Sequence, residues 1–105
     1  MILVLSGTEE GKEIVKKLHD AGMSLLTTVA TDYSKKIFEQ MGLESLCLQG
    51  RLDANGFLHL IRERKINTVV DATHPYAVEV SRNAMEACSK ENVRYLRYER
   101  QETEI

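Results

Sequence analysis

Short apolar runs alternate along the chain with longer stretches in which apolar residues recur every three or four positions. Residues 1–5 are continuously apolar and stop at Ser6 and Gly7, a length that suits a strand covered on both faces. Behind them Ile14, Val15, Leu18 and Ala21 share one helical face, and Gly22 supplies the left-handed residue on which helices end. Residues 25–31, rich in Leu, Thr and Val, predict a second strand. Asp32 or Ser34 then caps a helix that carries Ile37, Phe38 and Met41 and stops at Gly42. A third strand over residues 45–48 runs out at Gly50, and Asp53 precedes a helix with Phe57, Leu60 and Ile61 inward. Residues 66–70 predict the fourth strand. Pro75 suits the first turn of the next helix, where its missing amide proton costs nothing, and Ala77, Val80, Ala84, Ala87 and Cys88 line one side of that helix. Residues 93–98 predict a fifth strand, and residues 99–105 are polar and unpatterned, as in a linker or the start of a further domain.

Strand and helix therefore alternate throughout, with connections long enough for right-handed parallel crossovers. The expectation is a Rossmann-like three-layer α/β domain over residues 1–98, with a five-stranded parallel sheet in the order 3-2-1-4-5. The order 2-1-3-4-5 fits the same pattern. Sheets of this kind bind ligands outside the carboxyl ends of their strands, where the strand order reverses. Function is thus to be sought in the loops at residues 6–11, 31–34, 49–53 and 71–76.

Composition narrows the partners. Fourteen Lys and Arg against sixteen Asp and Glu in 105 residues give a formal net charge of -2, which leaves no basic stripe for nucleic acid. Apolar runs stay far below the ~20 residues of a membrane-spanning helix. Cys47 and Cys88 are widely separated, without the neighbouring Cys or His of a zinc site, and read as buried thiols of a reducing cytosol. A cytoplasmic domain that contacts neither nucleic acid nor membrane and holds no metal is the expectation.

The first loop, Ser6-Gly7-Thr8-Glu9-Glu10-Gly11, joins a strand to a helix N-terminus, where small residues let a phosphate approach backbone amides. It is neither GxGxxG nor a Walker A loop, and the same residues serve a plain tight turn. Glu9 and Glu10 repel a phosphate if they point inward; turned elsewhere, they complement the helix dipole or reach a ribose. After the second strand, Thr31 and Ser34 suit a 2'-phosphate, whereas Asp32 selects against one or caps the helix. Arg51 in the next loop is either a phosphate or adenine contact or an exposed arginine. Asp71-Ala72-Thr73-His74-Pro75-Tyr76 brings a carboxylate, a hydroxyl, an imidazole and a phenol to one strand end. His74 beside Pro75 has both a catalytic and a structural reading. His19 and His59 are read as solvated, and Tyr95 and Tyr98 as packing residues.

With Val29 to Tyr33, Gly50-Arg51-Leu52-Asp53 and Asp71 to Ala77 followed by Glu79 to Ala84, these stretches resemble the N-terminal half of the precorrin-6A reductase family, its cobalt-precorrin form included. The first loop of that family commonly reads GGTSEG, so Ser6 and Glu9 depart from it, and Glu9 adds a charge near the expected pyrophosphate. The resemblance implies a reductase of the corrin-ring (cobalamin) pathway that moves hydride from NADPH or NADH to precorrin-6A or cobalt-precorrin-6A. It implies two Rossmann-like halves with the site between them, of which this chain is one; the missing C-terminal half is then its partner, and the chain alone is inactive. By position, Ser6, Gly7, Thr8 and Glu10 would face the cofactor phosphates, Thr31 and Tyr33 the adenosine, and Thr73, His74 and Tyr76 the substrate cleft. No proton donor is assigned by it. The rival readings are a small flavodoxin-like or receiver-like nucleotide-binding module without catalysis, and a structural fragment. A receiver needs clustered acids where this first strand ends Leu5-Ser6-Gly7.

Overall fold

Successive side chains of a strand point to opposite faces, so Leu3 and Leu5 enter one half of the core and Val4 the other. In the computed structural model, which describes residues 1–29, 31–50 and 52–98, these residues lie on β1 (Ile2–Ser6). The chain continues through α1 (Glu9–Asp20), β2 (Leu25–Val29), α2 (Asp32–Gln40), β3 (Cys47–Gln49), α3 (Ala54–Arg64), β4 (Thr68–Ala72), α4 (Val78–Glu91) and β5 (Arg94–Arg97). Every strand pairing is parallel and the order is β3-β2-β1-β4-β5, the first of the two arrangements expected from the sequence.

Val15 of α1 and Phe38 of α2 pack on Val4, Leu25 and Val29, while Phe57 and Ile61 of α3 and Ala84, Ala87 and Cys88 of α4 pack with Leu3, Leu5 and Val69. Helices α1 and α2 therefore cover one face of the sheet and α3 and α4 the other. A buried Leu or Phe in such a layer is worth roughly 1.5–3 kcal/mol of burial. One contact decides how closely a helix approaches: a Cβ on Gly11 would lie 2.8 Å from Ser6 Cβ and 3.0 Å from Ser6 Cα, so α1 sits against the end of β1 only because residue 11 has no side chain.

Several boundaries differ from the sequence expectation. Strand β2 stops at Val29, and Thr31 rather than Asp32 or Ser34 caps α2, its extended backbone letting the hydroxyl accept the Ser34 amide at 3.1 Å. Residues 44–46 form a 3-10 turn, leaving β3 shorter. Strand β4 runs on through Asp71 and Ala72 because it stays paired with β1 as far as Ser6. Pro75 does not open α4: the Ala77 amide donates to the His74 carbonyl at 2.8 Å, so Pro75 occupies the second position of a turn, for which its fixed φ is equally suited. No helix among the described residues is long and apolar enough to cross a membrane. Residues 99–105 lie outside the described residues.

Candidate functional site

The chain leaves β1 toward β2 and later returns to pair β4 on its other side, and that reversal opens a crevice at the carboxyl ends of the strands. A cleft of about 710 Å³ lies there, with Ser6, Gly7 and Thr28 at the strand ends. Gly50, Leu52 and Asp53 of the β3–α3 loop line one side with Phe57. Thr73, His74 and Tyr76 line the other, followed by Val78, Val80 and Asn83 of α4. Both walls mix apolar side chains (Leu52, Phe57, Val78, Val80) with polar or charged ones (Asp53, His74, Glu79, Asn83), a mixture suited to an organic ligand with a polar part.

At the β1–α1 corner most side chains are already committed. Ser6, 8% exposed, donates its hydroxyl to the Thr28 carbonyl at 3.1 Å and lies 2.9 Å from Thr27 Oγ1. Thr8 caps α1, its Oγ1 accepting the Gly11 amide at 3.2 Å and donating to the Ala72 carbonyl at 2.8 Å. That bond ties the first corner to the end of β4. Gly7 is the opening between them: a Cβ there would meet nothing within 4 Å. Glu9 pairs with Lys12 at 3.0 Å, which offsets the charge that distinguishes this loop. The Lys12 ammonium also lies 5.9 Å from the centre of the Tyr33 ring.

At the end of β4, Asp71 is 0% exposed. Its Oδ1 accepts the Thr73 amide at 3.0 Å, the Thr73 hydroxyl at 2.7 Å and Arg97 Nη1 at 2.9 Å. Its Oδ2 accepts the Ser81 hydroxyl at 2.5 Å and the Tyr95 phenol. Burial pushes the Asp71 carboxyl up, but the hydroxyls of Ser81, Tyr95 and Thr73 and the Thr73 amide outweigh it and hold the group below its ordinary value. Burial, then the hydrogen bond to Asp71 and its charge, hold the Tyr95 phenol protonated well above the usual range. Asp71 is thus a fixed anion inside the protein rather than a group offered to a ligand.

His74 is exposed; its Nδ1 accepts the Tyr76 amide at 3.2 Å, and its ring lies 4.8 Å from that of Tyr76 at 51°. Tyr76 is 88% exposed. The two rings stand together at the cleft, with the imidazole Nε2 side turned away from that local hydrogen bond.

The structure brings Ser6, Gly7, Thr73, His74 and Tyr76 into one cleft. Thr8, Glu10, Thr31 and Tyr33 are not among its lining residues, and Arg51 lies outside the described residues. Thr31 is exposed at the cap of α2, its hydroxyl donating to Ser34 Oγ at 3.1 Å, and Tyr33 is 73% exposed on the first turn of that helix. Glu10 is half-buried on the first turn of α1. Sequence reasoning missed Thr28, Phe57 and Asn83, whose signal is only that each sits at or near the carboxyl end of a strand or on a helix facing it. Among the described residues, no group of three or more His, Cys, Asp or Glu could hold a metal ion.

A family model described as precorrin-6x reductase CbiJ/CobK matches residues 1–105. The chain is 39% identical over 105 residues to a cobalt-precorrin-6A reductase of Methanocaldococcus jannaschii, covering 99% of this chain and 41% of that protein. It is 35% identical to a cobalt-precorrin-6A reductase of Priestia megaterium over 95% of this chain and 38% of that one. A solved structure titled CobK precorrin-6A reductase superposes with a TM-score of 0.80 at 26% identity, over 99% of this chain and 40% of its own. The chain spans about two fifths of the length of these relatives.

Proposed function

The chain belongs to the precorrin-6x reductase CbiJ/CobK family, and on that premise we propose that it is the N-terminal, cofactor-binding part of a reductase of corrin-ring biosynthesis acting on precorrin-6A or cobalt-precorrin-6A. NADPH or NADH, when bound, supplies the hydride that reduces a double bond of the macrocycle. The observation that carries the reading is the open space over Gly7, beside the N-terminus of α1 and at the point of strand reversal. Nothing in the protein itself requires a glycine there, whereas a pyrophosphate approaching the backbone does.

In this reading Gly7 admits the cofactor phosphates, Ser6 shapes the strand end beneath them, and Thr8 holds the helix end in place through its two hydrogen bonds. The same reading assigns Glu10 to the phosphates, Thr31 and Tyr33 to the adenosine, and Arg51 to a phosphate or adenine contact. Thr73, His74 and Tyr76 line the wall where the macrocycle and the nicotinamide end of the cofactor meet, with His74 free at Nε2 to hydrogen-bond a peripheral carboxylate. The chain binds cofactor weakly and does not turn over alone, because hydride transfer needs both reactants held in one geometry and this chain matches 41% of the length of a cobalt-precorrin-6A reductase. Calorimetric titration of the 105-residue chain with NADPH and with NADH tests this. Saturable binding of either supports the reading, and no heat of binding at millimolar nucleotide overturns it.

A further inference from the structure

The segment that lines one side of the cleft has no cap of its own. Helix α4 starts after Ala77, which offers no side-chain hydrogen bond to the first turn, and the preceding turn is closed within itself, by the Ala77 amide on the His74 carbonyl and the Tyr76 amide on His74 Nδ1. Yet the segment is held at both ends. Thr73 is bound to Asp71 Oδ1 through its amide and its hydroxyl, and Ser81 is bound to Asp71 Oδ2. Both hydroxyl protons are spent on the carboxylate, so Thr73 Oγ1 accepts from Arg97 Nη1 at 3.1 Å and its rotamer is fixed from two sides. Between these anchors lie His74, Tyr76 and Val78, all on the cleft.

The carboxylate can serve two anchors only if it cannot rotate. Its backbone is locked in β4, which pairs Asp71 with Leu5 on one side and with Arg97 on the other. Tyr95 and Arg97 reach in from β5, one to each oxygen. We propose that Asp71 is the positioning residue of the cleft: its two oxygens clamp the segment from Thr73 to Ser81, and Tyr95 and Arg97 orient that clamp without touching the ligand. The proposal rests on the reading of the cleft as the ligand site, because it concerns how that wall is held.

Ser81→Ala and Tyr95→Phe test it, since neither residue lines the cleft and each removes one hydroxyl. Amide and side-chain NMR spectra of the 105-residue chain are compared for each variant, with Ser81→Thr as the variant that restores a hydroxyl. The expected result is that backbone order at His74, Tyr76 and Ala77 falls in Ser81→Ala and Tyr95→Phe and returns in Ser81→Thr, while amides of α1 and β2 keep their wild-type shifts. NADPH affinity falls severalfold in the same two variants and recovers with Ser81→Thr. Unchanged order at residues 74–77 in both variants overturns the clamp, whatever the affinity. Reduced order in a chain whose wild type binds no nucleotide upholds the clamp and rejects the cofactor reading, so the two failures are told apart. Should Tyr95→Phe not fold, Ser81→Ala against Ser81→Thr decides alone.

Discussion

Gly11→Ala sets two physical effects of opposite sign against each other. Residue 11 lies on the first turn of α1, and exchanging Gly for Ala inside a helix ordinarily stabilises by about 0.8–1 kcal/mol through backbone entropy. Here the new methyl would sit 2.8 Å from Ser6 Cβ, 3.0 Å from Ser6 Cα and 3.5 Å from Ala72 Cβ. All three atoms belong to residues of the central strands β1 and β4, and Ser6 is further held by its bonds to Thr27 and Thr28, so the helix must move rather than the neighbour. Overpacking costs typically 1–3 kcal/mol; against a strand backbone that cannot yield, the upper part of that range, about 2–3 kcal/mol, applies, and the net expectation after the helix gain is a loss of about 1–2 kcal/mol. For a domain of this size that lowers Tm by roughly 5–15 °C. Thermal melts followed by far-UV circular dichroism read this directly. A Gly11→Ala chain melting at or above wild type would refute the close approach of α1 to β1, because it is the outcome expected from helix propensity alone.

Thr8→Ala removes a helix cap and the bond to the Ala72 carbonyl together, and should cost about 1–2 kcal/mol in urea unfolding; a cost under ~0.3 kcal/mol contradicts the assignment. His74→Ala should leave stability within about 0.5 kcal/mol, because the imidazole is exposed and makes only a local contact with Tyr76, while abolishing or strongly reducing turnover when made at the matching position of a full-length relative. A destabilised chain with a fully active enzyme would return His74 to a structural role. The folded protein holds the Asp71 carboxylate ionised to lower pH than the unfolded chain does, so its contribution is complete above the ordinary value of 3.8 and is lost as pH falls through the depressed one. Tm of the wild type should therefore drop more steeply below about pH 4 than Tm of Asp71→Asn, and parallel slopes would contradict the buried, hydrogen-bonded anion.

What could be read from the sequence depended on whether the cause was local. The alternation of apolar runs with helical periodicity disclosed five strands, and the parallel sheet followed from chain geometry, because β1 with β2, and β1 with β4, can pair only as the crossovers allow. Caps were harder. Thr31, Asp32 and Ser34 are all competent cap residues, and only the end of β2 at Val29 placed Thr31 in the extended conformation that a cap needs. The Asp71 cluster was out of reach, since it joins residues 2, 10, 24 and 26 positions from the aspartate, a pattern with no period. The same limit applies to Thr8: its spacing from Gly11 suggests a cap, but nothing nearby in sequence reveals that its proton goes to Ala72. A cleft lies at the loops after β1, β3 and β4, where strand reversal leads one to look, but residues 31–34 do not line it, and Phe57 and Asn83 enter it from helices that the reversal rule does not mention.

The central claim, that this chain presents a nicotinamide cofactor with the Gly7 corner and the Thr73 to Tyr76 wall, is tested most directly by amide chemical-shift mapping during titration with NADPH and NADH. The account predicts progressive, saturable shifts at Gly7, Thr8 and Glu9, extending to Thr31 and to His74 and Tyr76, with Thr68 and Arg94, at the amino ends of β4 and β5 away from the cleft, unmoved. Gly7→Ala, which costs no packing, should weaken those shifts without lowering Tm. Spectra that stay unchanged at the Gly7 corner and at Thr31 up to millimolar concentrations of both nucleotides would contradict it.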